Sequence, residues 1–119
     1  MAEQEVRTRL RHLEQAWNDD GAALAALFHA EGRLLTPSGV YPPARVAEAF
    51  APHSYGVLVI ERIVLLSDTA AYTFIKRRRA SEGVPDQYCG IFWTRPAECP
   101  WLIWLLHWQP GVSVNRTAP

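Results

Sequence analysis

His107 is the side chain in this sequence best suited to acid–base chemistry, because it is the one titratable group in the apolar run WLIWLLHW over residues 101–108. An imidazole titrates near pH ~6.5, and a pocket can shift that value, so His107 could act as a general acid or base. Tyr88 and Tyr41 could each offer a phenolic donor to negative charge developing on a substrate. We take these three as candidate catalytic residues. The sequence fits equally well a structural role, with the histidine at a strand end and two packed tyrosines whose hydroxyl groups reach water.

The run that ends beside His107 is typical of a β-strand that is apolar on both faces. Alternation along a strand puts Trp101, Ile103, Leu105 and His107 on one face, and Leu102, Trp104, Leu106 and Trp108 on the other. A strand of this kind needs cover on both sides. Helices could cover one face and a partner chain the other, or the sheet could curl around its own core and leave a cavity at one end. Either arrangement favours a protein with a small ligand pocket.

Aromatic side chains supply the candidate walls of such a pocket. The candidate ligand-binding residues are Trp17, Phe28, Phe50, Phe92 and Trp104. Together they could hold a small apolar or aromatic molecule, and each also fits an ordinary place in the hydrophobic core.

The sequence indicates no metal and no organic cofactor. It has no CxxC motif, no histidine pair at helical spacing and no convincing cluster of carboxylates. Cys89 and Cys99 are predicted to be free thiols, because a hairpin between them would separate them by several residues of ~3.3 Å rise.

Composition narrows the class of protein. A chain of 119 residues with 49% hydrophobic residues and five Trp is typical of one compact domain. Its formal net charge of +0 argues against a domain that neutralises phosphates, so we expect no nucleic-acid partner. No apolar run approaches ~18 residues, and the first residues are acidic and polar where a secretory signal would be basic and then apolar. We therefore expect a soluble cytoplasmic protein without a membrane partner.

The first half of the chain predicts helices. Val6, Leu10, Leu13 and Trp17 recur at helical spacing and predict an amphipathic helix over residues 3–17. A second short helix is predicted over 22–29 with Gly32 ending the pair, then a short strand over 33–36. A third helix is predicted over 44–51, between two prolines.

The second half predicts strands. Runs rich in β-branched and aromatic residues, separated by short polar breaks, predict an antiparallel meander of strands over 55–66, 70–79, 86–95 and 101–109. Glu61 interrupts one run and predicts a bulge or an exposed face with a nearby counter-charge. The basic run over 76–79 is interpreted as a solvated strand end. Helices followed by a meander predict an α+β domain with the helices packed on one face of the sheet.

Three stretches in this order resemble the nuclear transport factor 2-like superfamily, in particular its SnoaL-like and ketosteroid-isomerase-like members. They are residues 13–28 (LEQAWNDDGAALAALF), 32–39 (GRLLTPSG) and 101–107 (WLIWLLH). Trp101 and His107 match a Trp and His six residues apart that mark the last strand of similar members. The resemblance implies a curved antiparallel sheet wrapped around N-terminal helices as a cone-shaped, cystatin-like roll. It also implies a pocket between the concave face and the helices, and a homodimer formed through the sheet.

The expected domain is a single one over residues 1–111, with a flexible tail over 112–119. Ketosteroid isomerases place a catalytic aspartate just before the proline of the first strand's turn, where this chain has Thr36, and nothing over 90–92 supplies their second acid. Typical ketosteroid isomerase chemistry is therefore not expected. We expect a small-molecule-binding protein, with cofactor-independent acid–base chemistry of the isomerase, cyclase or hydrolase type if it is an enzyme. The alternative is a noncatalytic dimerisation or interaction module.

Overall fold

The structure is a computed structural model that describes residues 2–19, 22–50, 56–79, 86–97 and 100–109, without the side chains of residues 22, 50, 79 and 109. In chain order its elements are α1 (Ala2–Asn18), a 3₁₀-helix (Ala22–Leu27), β1 (Phe28–Thr36), β2 (Gly39–Tyr41), a second 3₁₀-helix (Pro43–Arg45), α2 (Val46–Phe50), β3 (Gly56–Ser67), β4 (Ala70–Arg79), β5 (Gln87–Thr94) and β6 (Leu102–Gln109). Among the described residues, no helix is long and apolar enough to cross a membrane. The predicted tail over 112–119 lies outside the described residues.

The six strands form one sheet in the order β2-β1-β6-β5-β4-β3. The four strands β3 to β6 pair antiparallel in sequence order and form the meander that the sequence predicts. In contrast to a fully antiparallel sheet, β1 pairs parallel with β6 and antiparallel with β2. A parallel pair needs a long connection, and the whole meander supplies it here. The fold is α+β, with an N-terminal helix packed on a mostly antiparallel sheet, as predicted.

Helix α1 covers one face of the sheet, which we call the inner face; the opposite side is the outer face. The apolar positions of α1 that the helical spacing predicted are buried: Val6, Leu10, Leu13, Ala16 and Trp17. They share one hydrophobic core with inner-face residues of the meander, including Ile75, Ile91 and Trp93. Polar contacts fix the helix along the sheet, because the Leu58 amide donates to Glu14 (2.8 Å) and Asn18 bonds both backbone groups of Gly56. The apolar face of α1 is therefore packed directly against the sheet.

The predicted boundaries differ from the structure around β1. The second predicted helix is a 3₁₀-helix that ends at Leu27, and β1 begins at Phe28 and runs through Gly32. Gly32 does not end a helix pair. A Cβ there would come within 2.5 Å of the Ile103 carbonyl oxygen, so the glycine permits a close approach of β1 to β6 at an irregular part of their pairing. The three-residue β2 is too short to leave a periodic signal.

The structure confirms one of the two predictions made for charged residues within the meander and corrects the other. The pairing of β3 with β4 shifts at Glu61, whose carboxylate lies 3.7 Å from the Lys76 ammonium, so the predicted bulge with a counter-charge is confirmed. The solvated strand end predicted over 76–79 is wrong for Arg77, which is buried on the inner face with 1% of its surface exposed. Alternation along β4 carries Arg77 to the same face as Thr73 and Ile75.

A bulge in β6 corrects the predicted faces of the last strand. Phe92 pairs with Leu105 while Trp93 pairs with Ile103, so Trp104 is an extra residue in β6. The inner face therefore carries Trp101, Ile103, Leu106 and Trp108, and the outer face carries Leu102, Trp104, Leu105 and His107. His107 does not share a face with Trp101 and Ile103, and Trp104 does not share one with Trp108. A single inserted residue reverses the parity of every position that follows it.

This assignment of faces predicts unequal effects for two tryptophan substitutions in β6. Trp108→Glu puts a carboxylate into the core, because Trp108 is 8% exposed, and we expect a loss of about 3–5 kcal/mol or complete unfolding. Trp104→Glu alters a side chain that is 44% exposed on the single chain, so it should change the free energy of unfolding of that single chain by about 1 kcal/mol or less, apart from any effect on dimerisation. Urea unfolding followed by circular dichroism measures both, and equal losses would contradict the bulge.

A buried hydrogen bond between β4 and β5 gives a second test of the fold. The Trp93 indole donates to the Thr73 hydroxyl at 3.0 Å, and Thr73 is fully buried. Thr73→Val keeps the shape of the side chain but removes the acceptor, so we expect a loss of about 1–3 kcal/mol in unfolding free energy. Thr94→Val, on the outer face of β5, is the matched control and should stay within about 0.5 kcal/mol of the wild type.

Candidate functional site

The residues predicted from the sequence do not line one common cavity. Trp17 and Phe28 are core residues, with 3% and 5% of their surfaces exposed. The outer face holds Tyr88, Phe92, Trp104 and His107. Tyr41 lies at the end of β2, near the edge of the sheet, and the side chain of Phe50 lies outside the described part of the structure. Inner and outer residues of one sheet cannot face the same space, so the candidate residues are divided between the two faces and their roles stay predictions.

A cavity of about 400 Å³ opens between the β1–β2 turn, α2 and the end of β6, and we call it the rim cavity. Its lining residues are Thr36, Pro37, Ser38, Tyr41, Glu48, Ala49 and Trp108. The turn is fixed locally: the Ser38 amide donates to the Thr36 hydroxyl at 3.1 Å, and Gly39 has a φ of 152°. Few residues other than glycine adopt that angle. Of the three candidate catalytic residues, Tyr41 is the one that lines this cavity.

An ion pair borders the rim cavity beside Tyr41. Arg45 Nη2 lies 2.9 Å from Glu48 Oε1, and the Arg45 guanidinium lies 5.8 Å from the centre of the Tyr41 ring. The hydrogen bond from Arg45 lowers the pKa of the Glu48 carboxyl. An ionised Glu48 accepts hydrogen bonds but is a weak general base. The Tyr41 phenol can donate a hydrogen bond. The cavity therefore combines an aromatic wall with the Tyr41 phenol, the Glu48 carboxylate and the hydroxyls of Thr36 and Ser38.

A buried polar cluster lies behind the Trp108 wall of the rim cavity. The edge of Trp17 meets Trp108 with ring centres 5.9 Å apart, and the Arg77 guanidinium lies 4.7 Å from the Trp17 ring centre. Arg77 also donates to Gln87 Oε1 at 3.2 Å and to Asn18 Oδ1 at 3.0 Å. Sequence reasoning missed this cluster. The signal that could have found it is the alternation of β4, which puts Arg77 two positions after Ile75 on the inner face.

The inner face also carries Cys89, which pairs with Ile75 of β4 and with Trp108 of β6. Cys89 is a buried free thiol, and burial raises its pKa, so it stays protonated at neutral pH and does not act as a nucleophile. Cys99 lies outside the described residues. Within the described ranges, no group of three His, Cys, Asp or Glu side chains could hold a metal ion.

The outer face carries a groove of about 230 Å³, which we call the outer groove. Its lining residues are Leu35, Tyr72, Phe74, Tyr88, Gly90, Phe92, Leu105 and His107. Aromatic contacts build its walls: the Tyr72 and Phe92 ring centres are 4.8 Å apart, and Phe74 stacks on Tyr88 at 6.0 Å. A Cβ on Gly90 would come within 2.6 Å of the Tyr72 hydroxyl, so glycine allows Tyr72 to lie across β5.

His107 and Tyr88 share this outer groove, away from Tyr41. His107 lies between Gly90 of β5 and Leu35 of β1 in the strand pairing, and its side chain is exposed. No hydrogen bond joins the imidazole to another residue in the described part of the chain. A catalytic histidine is usually oriented by a hydrogen-bond partner. Proton transfer by His107 therefore stays a prediction. The groove around His107 consists mostly of side chains suited to apolar contact.

No protein-family model matches this sequence, and no curated protein matches it. Solved structures do match. A nuclear transport factor 2-like protein of unknown function from Shewanella oneidensis has a TM-score of 0.74 at 17% identity, over 92% of this chain and 99% of that one. A domain of unknown function with a cystatin-like fold from Nostoc punctiforme has a TM-score of 0.79 at 16% identity, over 97% of this chain and 80% of that one.

A ketosteroid isomerase-like protein from Erwinia carotovora also matches, with a TM-score of 0.65 at 16% identity over 91% of this chain and 92% of that one. At these identities the likeness establishes the fold alone. This chain therefore has the cystatin-like fold of nuclear transport factor 2-like and ketosteroid-isomerase-like proteins, which are its structural neighbours over nearly its whole length.

Proposed function

We propose that this protein binds a small, largely apolar organic molecule in the rim cavity. The observation that carries the proposal is the cavity itself, whose volume of about 400 Å³ is within the ~300–1,000 Å³ typical of small-molecule sites. Trp108 offers an apolar wall, and the Tyr41 phenol offers a hydrogen-bond donor. Such a lining, mostly apolar with a few polar groups, is common for sites that recognise a flat molecule with one carbonyl or hydroxyl oxygen.

The available groups support binding better than proton abstraction. Tyr41 could donate to a carbonyl or enolate oxygen, as an isomerase, cyclase or hydrolase that uses no cofactor would require. Glu48 is a poor base, because its pKa is lowered by Arg45, and His107 is exposed in the outer groove rather than in the rim cavity. We therefore propose a binding protein whose site could polarise a carbonyl, with acid–base catalysis as the further expectation.

A pair of matched substitutions tests the rim cavity. Tyr41→Phe removes one phenolic hydroxyl from the cavity, and Tyr88→Phe removes the same group from the outer groove. With a panel of flat aromatic and polyketide-like carbonyl compounds, we expect Tyr41→Phe to weaken binding about tenfold, because one hydrogen bond is lost. Tyr88→Phe should bind like the wild type. Isothermal titration calorimetry measures both, and the rim site is rejected if no compound binds or if both variants lose affinity equally.

A second function, homodimerisation through the outer face, is favoured by a separate observation. Three large apolar side chains on that face are exposed: Phe92 (42%), Trp104 (44%) and Val57 (46%). Phe92 also belongs to the aromatic wall of the outer groove, and exposed apolar side chains beside such a groove are typical of an interaction surface. We propose that a second copy of this chain covers it. The rim cavity does not share a lining residue with the outer groove, so both functions can coexist.

Oligomeric mass tests the dimer. Phe92→Glu adds a charge at the centre of the outer face and should give a species of 13.4 kDa, whereas the wild type should have twice this mass. Leu65→Glu is the control, because Leu65 is 45% exposed but pairs with Ala71 and so points away from the outer face. It should remain dimeric. Light scattering after size exclusion gives the masses, and a monomeric wild type or a monomeric control would contradict the proposed interface.

A further inference from the structure

A third concave surface lies between the first half of α1 and the segment that enters β6, and we call it the helix groove. It has a volume of about 310 Å³ and is lined by Glu5, Thr8, Arg9, His12, Arg95, Pro100 and Trp101. None of these residues lines the rim cavity or the outer groove. The helix groove is therefore a separate surface whose chemistry the proposed functions do not use.

The charges in the helix groove are unbalanced. Two guanidinium groups, Arg9 and Arg95, face one carboxylate, Glu5. Glu5 is already engaged, because its Oε1 accepts from the Trp101 indole at 3.1 Å and lies 3.6 Å from Arg95 Nη1. Within the described residues, no carboxylate lies within ion-pair distance of Arg9. The arginines and the glutamate of the groove thus leave one positive charge in excess.

Arg9 is held in place while its terminal nitrogens keep most of their bonding capacity. Its Nε donates to the Trp101 carbonyl at 2.8 Å, which fixes the guanidinium against the segment before β6. Its Nη1 makes one long contact, 3.5 Å to His12 Nδ1. A guanidinium has five N–H donors, so the Nη1 and Nη2 edge remains able to bond both oxygens of a carboxylate. Partial burial lowers the pKa of Arg9, as expected for a cation that has lost water without gaining an anion.

The remaining lining of the helix groove is Thr8, His12, Pro100 and Trp101, of which Pro100 and Trp101 supply the apolar part. Pro100 is exposed at its mouth, and Trp101 is almost fully buried with 1% of its surface exposed. An inorganic anion would use only the charge of this surface, whereas an organic acid with an aromatic body would also cover the apolar part. We propose that the helix groove is a binding site for small aromatic carboxylates, with Arg9 as the residue that pairs with the carboxylate.

Benzoate is a suitable probe, and nuclear magnetic resonance with the whole ¹⁵N-labelled protein is a suitable method. We expect benzoate to shift the Trp101 indole signal in a saturable way, with a dissociation constant on the order of 1 mM for so small a ligand. The Trp104 indole, on the outer face, should not move. Benzyl alcohol has the same ring without the charge and should shift the Trp101 signal at least about tenfold less at equal concentration. An equal shift with benzyl alcohol, or no saturable shift with benzoate, would overturn the proposal.

Two arginines of the same helix give the matched variants. Arg9→Gln should weaken benzoate binding about tenfold or more, because it removes the charged fork. Arg7→Gln removes an equal charge from a side chain that pairs with Glu3 outside the groove, and it should bind benzoate like the wild type. An equal loss of benzoate affinity in both variants would mean that only the net charge of the helix matters, and it would overturn the assignment to Arg9.

Arg9→Lys covers the case in which Arg9→Gln does not fold. It retains the positive charge and loses the planar fork, so we expect affinity at least a few times weaker than that of the wild type. Affinity equal to the wild type in Arg9→Lys would overturn paired recognition of the carboxylate. The same spectra report whether each variant is folded, through the dispersion of its amide signals.

Discussion

The extra residue at Trp104 determines which way the rest of β6 faces. Before it, Trp101 and Ile103 point to α1; after it, Leu106 and Trp108 do so, and His107 points outward. Side chains pack on both faces of the bulge, because the inner residues fill the core while the rings of Trp104 and His29 pack edge to face with centres 5.1 Å apart. A strand with strict alternation would have put His107 into the interior, without a described partner for its imidazole.

β6 therefore serves two surfaces at once. Trp108 closes the inner end of the rim cavity, and its neighbour His107 lies in the outer groove. β6 is hydrogen-bonded on both edges, to β1 and to β5, so the two surfaces are built on one shared backbone. Trp17 packs against Trp108, and Arg77 packs over Trp17, so the cavity wall is continuous with the buried polar cluster.

Sequence periodicity was sufficient for the parts of the fold that repeat. The stripe of Val6, Leu10 and Leu13 predicts α1, and the polar breaks between apolar runs predict the meander, because both depend on neighbours in the chain. The face of His107 was beyond this reasoning, since one bulge reverses the alternation and leaves no mark in residue types. Arg77 was missed for the opposite reason: alternation placed it inside, but a charge is normally expected in water. The parallel pairing of β1 with β6 depends on contacts between distant segments.

That parallel pairing has a consequence for how the protein folds and opens. β1 ends at Thr36 and β6 begins at Leu102, so their contact closes a long loop and should form after the meander, whose strands are linked by short connections. The rim cavity needs both ends, because its turn follows β1 and its wall is the end of β6. A ligand in the rim cavity would contact both the turn after β1 and the end of β6, and so would hold together two segments that pair late in folding. Its binding would raise the resistance of the whole domain to unfolding rather than order a single loop.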